Sequence, residues 1–101
     1  MKVALTPEAL ADLKEIGSWI ARDNARRARS FVKELSGACM SLAEQPRRFP
    51  YVFPSGEPPV RKRVHQGYLI FYRVETDAVQ ILRIVHGSRD WVVVIAADPP
   101  R

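Results

Sequence analysis

The chain has 101 residues, 47% hydrophobic and 27% charged, with five Gly and eight Pro, a composition that fits a single globular domain over residues 1–101. Its lone Cys39 excludes a disulfide scaffold. With no leader-like opening and no apolar run near the roughly 18 residues of a membrane span, a cytoplasmic protein without membrane contact is expected. Sixteen Lys and Arg, twelve of them Arg, against eleven Asp and Glu give a net charge of +5. That charge favours an acidic partner, nucleic acid or protein, because guanidinium binds phosphate and carboxylate alike.

Lys2 to Leu5 is a short apolar run that reads as a strand. Thr6-Pro7-Glu8 then supplies an N-cap hydroxyl, a proline at the first helical position and an acid in the first turn. In the helix that follows, Leu10, Leu13, Ile16, Gly17 and Ile20 fall in one stripe at about 100° per residue, while Glu8, Asp12, Glu15 and Arg22 point away. This helix is expected to end near Asp23. Asn24 can cap a second helix, in which Ala28, Phe31, Val32, Leu35, Ala38, Cys39 and Leu42 repeat at three- and four-residue spacing up to Gln45-Pro46. So short a connection folds the two helices into an antiparallel hairpin, and Gly17 allows close approach.

Five prolines between Pro46 and Pro59 predict an ordered loop pinned by Phe49, Tyr51 and Phe53. Three strands follow, Val60 to Val64, Tyr68 to Glu75 and Val79 to His86, joined by turns short enough for hairpins. The middle one is apolar on both faces and is therefore central. Trp91 to Ala97 adds a short strand or helix before Pro99-Pro100. The expected fold is α+β, in the order β-α-α-β-β-β, with an N-terminal helix hairpin packed on one face of a small twisted, mainly antiparallel sheet and the other face open.

Three constellations carry possible chemistry. On the first strand of the meander, alternation puts Arg61 and Arg63 on one face and Lys62 on the other. The pair either holds a phosphate or carboxylate, or simply guards an edge strand against aggregation. The run His86-Gly87-Ser88-Arg89-Asp90-Trp91 gathers an imidazole, a guanidinium, a carboxylate and an indole at a strand end, where His86 is either an acid-base group or a structural hydrogen-bonding residue. The outer face of the second helix and the helix junction carry Arg22, Arg26, Arg29 and Lys33, which read mostly as solvated surface. Trp19 lies off the apolar stripe and is either an interface anchor or a cover for the core edge. No serine has a His-and-acid companion at recognisable spacing. Cys39, His65 and His86 lack metal-ligand spacing, and neither a phosphate loop nor a dinucleotide fingerprint is present, so no metal or cofactor is expected.

The blocks Ala11-Asp12-Leu13, Ile16, Trp19-Ile20, Asp23-Asn24 and Leu42 to Pro50, then Gly67 to Arg73 and Ile81 to Asp90, resemble in order and spacing the RelE/ParE superfamily, the toxin halves of bacterial type II toxin-antitoxin pairs, and specifically its ParE-like branch. The likeness covers nearly the whole chain and implies the same β-α-α-β-β-β fold. RelE-like members cut messenger RNA on the ribosome with basic residues and often an aromatic hydroxyl. Several ParE-like members instead bind DNA gyrase and trap its cleaved DNA complex. Where the nuclease pattern has an Arg after the Gly-aromatic pair of the middle strand, this chain has Leu69, which cannot neutralise a developing phosphorane. Arg89 does match a basic nuclease position, but Trp91-Val92-Val93-Val94-Ile95 supplies no Tyr.

The resemblance therefore implies a non-catalytic toxin that inhibits DNA gyrase and is neutralised by an acidic ParD-like antitoxin in a hetero-oligomer. Arg61, Arg63, Arg83, His86, Arg89 and Trp91 are the candidate target contacts. Trp19, Arg26, Trp91, Val92 and Val94 are the candidate antitoxin contacts. A RelE-like endoribonuclease built on Arg61, Arg63, His86 and Arg89 is the enzymatic alternative, and a non-toxic protein-binding module is the third.

Overall fold

A computed structural model describes residues 1–52 and 56–97; Phe53 and the Pro99-Pro100 end lie outside them. The elements run β1 (Lys2–Leu5), α1 (Pro7–Ala21), α2 (Ala25–Met40), β2 (Val60–His65), β3 (Tyr68–Val74), β4 (Ala78–His86) and α3 (Trp91–Ala97), with a 3-10 turn at Ser41–Ala43 extending α2. The sheet order is β1-β4-β3-β2; β1 lies parallel to β4 and the other pairs are antiparallel. No helix among the described residues is long and apolar enough to cross a membrane.

Both caps form as the sequence predicts. The Asn24 side chain accepts from the Arg27 N–H at 3.0 Å. The Thr6 hydroxyl accepts from the Ala9 N–H at 3.1 Å and also donates to the Leu82 carbonyl at 2.9 Å, so one side chain starts α1 and fastens it to β4. Thr6→Ala is therefore expected to cost about 1–2 kcal/mol in urea unfolding, the upper range for a lost cap. Thr6→Ser, which keeps the hydroxyl, is expected to recover most of that.

The buried face of α1 follows the predicted stripe at Leu13, Ile16 and Ile20 but not at Leu10 or Asp12. Ala9, Asp12, Leu13 and Ile16 face inward, while Leu10 is 49% exposed. Asp12, expected to point away, turns in because β4 offers its carboxylate three donors. Gly17 does permit close packing: a Cβ there would come within 3.1 Å of Val32 Cγ2 on α2.

From α2 and its extension, Phe31, Leu35, Ala38, Cys39 and Leu42 meet Ile70, Tyr72, Val79, Ile81 and Ile84 of the sheet. Burial pushes the Cys39 thiol up to about 11, so it stays protonated near neutral pH and is no nucleophile. The proline-rich loop is held mainly by its backbone: the Val52 N–H donates to the Val60 carbonyl at 2.7 Å, the Lys62 N–H to Pro50 at 3.0 Å, and the Tyr72 hydroxyl to Pro46 at 2.7 Å. Phe49 packs on the core as expected, but Tyr51 is exposed.

The far face of the sheet is not open. Val52, Val60, Leu69, Phe71, Leu82 and Val85 form a second apolar cluster, which α3 covers with Ile95, Trp91 and Val94. A β-bulge divides β4 between the two clusters. Tyr72 pairs with Ile81 but Phe71 pairs with Arg83, leaving Leu82 as the extra residue. Ile81 and Ile84 consequently face the hairpin, and Leu82 and Val85 face α3.

Candidate functional site

Along one side of α1, residues three or four apart bring Asp12, Ile16, Trp19 and Arg22 into a row. Opposite them stand Tyr68 at the start of β3, His86 at the end of β4 and Arg89 in the turn beyond. Between the two walls lies a groove of about 740 Å³, a size typical of a ligand or side-chain pocket. The sequence nominated Trp19 separately from the run that holds His86 and Arg89; the fold brings all three to one place.

The floor of the groove is set by an unpaired length of strand. β1 pairs with β4 only from Lys2↔Ala78 to Leu5↔Ile81, so beyond Ile81 the β1 side of β4 has no neighbouring strand. Asp12 takes over there. Its Oδ2 accepts from the Ile84 N–H and from Arg83 Nε, both at 2.8 Å, and its Oδ1 accepts from Arg83 Nη2 at 3.0 Å. The bidentate pair is largely buried and fixes α1 across the strand end.

Aromatic groups shape the walls. Trp19 is 64% exposed, with the Arg22 guanidinium 5.1 Å from its ring centroid. Tyr68 is packed between Phe31, at 5.4 Å, and the edge of His86, at 5.0 Å and 89°. Burial holds the Tyr68 hydroxyl above its usual range, so it is not a ready base. His86 Nδ1 accepts from the Ser88 N–H at 3.0 Å and lies 2.7 Å from Ser88 Oγ. In the neutral ring this leaves the proton on Nε2.

The remaining nominated residues lie elsewhere. Arg61 and Arg63 share a face, as alternation requires, but it is the face toward the hairpin. Arg61 donates to the carbonyls of Arg47 at 3.0 Å and Phe49 at 2.7 Å and to the Tyr51 hydroxyl at 2.9 Å. Arg63 donates to the Ala38 carbonyl at 2.7 Å and to Ser41 Oγ at 2.5 Å. Trp91 sits across the sheet, 5.5 Å from Phe71 and under the Lys62 ammonium at 4.9 Å. Val94 is half-buried beside it, Val92 is exposed, and Arg26 is exposed on the first turn of α2. Among the described residues, no three His, Cys, Asp or Glu are grouped to hold a metal ion.

Asp12 and Tyr68 are the site residues that sequence reasoning missed. Tyr68 could have been found from the hairpin register, since its cross-strand partner at the end of β4 is His86. Asp12 carried no such signal, because Arg83 lies 71 residues away.

This fold has known counterparts. Residues 3–91 match the family described as the ParE toxin of the type II toxin-antitoxin system parDE, and the chain belongs to that toxin family. A relative named "Putative toxin Y4kP", from Sinorhizobium fredii, is 31% identical over 100 residues, covering 93% of this chain and 96% of the relative. Among solved structures, a chain of the chromosomal ParDE toxin-antitoxin system from P. aeruginosa superimposes with a TM-score of 0.71 at 25% identity, covering 85% of this chain and 95% of that one. The isolated RelE toxin of E. coli shares the fold, with a TM-score of 0.61 at 19% identity over 95% of this chain and 94% of its own.

Proposed function

We propose that this toxin disables DNA gyrase by binding it rather than by cleaving RNA, and that an acidic ParD-like antitoxin neutralises it. The observation that carries the non-catalytic reading is the engagement of Arg61 and Arg63. Between them they donate to three main-chain carbonyls, a tyrosine hydroxyl and a serine hydroxyl of the chain itself, an arrangement suited to holding a loop and a helix end rather than a phosphodiester. Leu69, where a nuclease would need a cation, is buried under α3. The net charge of +5 favours an acidic antitoxin.

The RelE-like alternative draws on one specific feature, the meeting of His86, Arg89 and Tyr68 at a single groove. Against it, the His86 Nδ1 is already accepting a backbone bond and the Tyr68 hydroxyl is held protonated. A supercoiling assay with purified gyrase and relaxed plasmid tests the proposal. Inhibited supercoiling with accumulated cleaved DNA is expected. Unimpaired supercoiling by a chain that still arrests growth contradicts the gyrase target, and the absence of any arrest favours the non-toxic module.

A further inference from the structure

The charges on α2 stand where they cost stability. Arg26 and Arg27 occupy its first turn, at the positive end of the helix dipole, and no acid stands there to offset them. Arg26, Arg29 and Lys33 follow one another at spacings of three and four, so they share one face and repel one another. All three are exposed, and among the described residues none makes an ion pair or a side-chain hydrogen bond. Their neighbours are already engaged. Arg27 is paired at 2.7 Å with Glu34, the one acid of α2, and Arg22 lies over the Trp19 ring. A row of like charges from which the fold gains nothing points to an anion outside the chain.

Beside this row, α1 and α2 leave a shallow groove of about 530 Å³. Gly17 and Ala21 of α1 and Ala25 and Ala28 of α2 line it, with Arg29 and Lys33 on its α2 side. Lys14 stands four and seven positions before Ser18 and Ala21, in line with them on α1, and adds a cation along the same groove. The largest apolar side chain in the lining is Val32, so a protein partner finds no aromatic or long aliphatic anchor there. Without a ring in the lining, the bases of a single strand have nothing to stack on. A duplex backbone needs neither; it needs cations and low walls that admit its phosphates. At a rise of about 1.5 Å per residue, Arg26 and Lys33 are about 10 Å apart along α2, a distance over which one strand of duplex DNA passes about three phosphates.

We infer that Arg26, Arg29 and Lys33 hold the backbone of duplex DNA carried by gyrase, so that the toxin engages the enzyme and its bound DNA together. This rests on the reading of the chain as a gyrase inhibitor and adds to it a second ligand and the face that takes it. None of the three cations lines the Trp19–His86 groove, so contacts at the two places do not compete for the same side chains. Phosphate contacts fix position without reading bases, so the face adds affinity for DNA-bound gyrase with no sequence preference of its own.

The test measures binding of the full chain to purified gyrase, alone and loaded with a duplex that carries a gyrase cleavage site, over a range of salt concentrations. The wild-type chain is expected to bind the loaded enzyme about tenfold or more tightly than the free one. In the triple variant Arg26→Gln, Arg29→Gln, Lys33→Gln that advantage is expected to vanish, with affinity for free gyrase unchanged and the log–log salt slope reduced by about 3. Arg29→Gln alone is expected to reduce the slope by about 1. Replacing Lys2, Arg47 and Arg48 with Gln removes the same charge from exposed sites on β1 and the proline-rich loop and is expected to leave the advantage in place. Glutamine is a good helix former, and thermal melting of each variant checks the fold.

Equal wild-type affinity for free and loaded gyrase overturns the inference while leaving gyrase as the target. So does a triple variant that keeps the full advantage and the full salt slope. If the triple variant instead loses affinity for the protein of the neighbouring reading frame, or loses only that protein complex's grip on operator DNA, the face belongs to another partner and the assignment fails. If the wild-type chain binds gyrase in neither form, the reading as a gyrase inhibitor fails and the inference with it.

Discussion

Asp12→Ala is expected to destabilise the protein by about 3 kcal/mol in urea unfolding, a large share of the ~5–15 kcal/mol that holds a domain of this size together. The carboxylate ties together three donors that arise 71 and 72 residues later in the chain. Removing it deprives the buried Ile84 amide of its acceptor, at about 1–3 kcal/mol, and takes two charge-assisted hydrogen bonds from Arg83. Asp12→Asn keeps an acceptor without the charge and is expected to fall between alanine and wild type. A loss below about 1 kcal/mol for Asp12→Ala would mean that water serves the strand end as well as Asp12 does, contrary to its burial.

Phe71→Ala is expected to cost about 3–5 kcal/mol and to loosen α3 from the sheet. Phe71 is fully buried at the centre of the far-face cluster and lies against Trp91. The chain has two tryptophans, Trp19 and Trp91, so in a Trp19→Phe background the emission of Trp91 alone reports on α3. Phe71→Ala is then expected to shift that emission to the red at denaturant concentrations below the main transition. By contrast, Val93→Ser on the exposed side of α3 is expected to change stability by less than about 0.5 kcal/mol. Equal effects from the two substitutions would show that α3 does not rest on the sheet in solution.

Much of this architecture was legible because its signals are local. Thr6, Pro7 and Asn24 mark helix starts through groups that act within one turn, and Gln66-Gly67 adopts the positive φ angles of 47° and 86° that a tight hairpin needs. The misreadings came from non-local partners. Asp12 looked outward because it lies off the apolar stripe of α1, and nothing near it in sequence announces the β4 bulge that presents Arg83 and Ile84. The far face looked open even though Leu69 and Phe71 needed cover; the cover comes from residues 91–97, a run too short for its periodicity to separate helix from strand.

The candidate site divided along the same line. His86 and Arg89 stood out because strand-end turns collect exposed functional groups. Arg61 and Arg63 stood out for their charge, but charge alone does not tell whether a guanidinium faces solvent or a row of main-chain carbonyls. Their bonds to main-chain carbonyls and hydroxyls are the observation on which the proposed non-catalytic reading rests. The groove emerged only once α1 was set against β4, since Trp19 and His86 are 67 positions apart in the sequence.

The most direct test of the account is to add the purified toxin, well below the ribosome concentration, to a translating extract and follow a defined transcript over time. The account predicts an intact transcript under conditions where the same preparation blocks gyrase. Accumulating cuts that outnumber the toxin molecules, and that disappear in His86→Ala or Arg89→Ala with the fold intact, would contradict it.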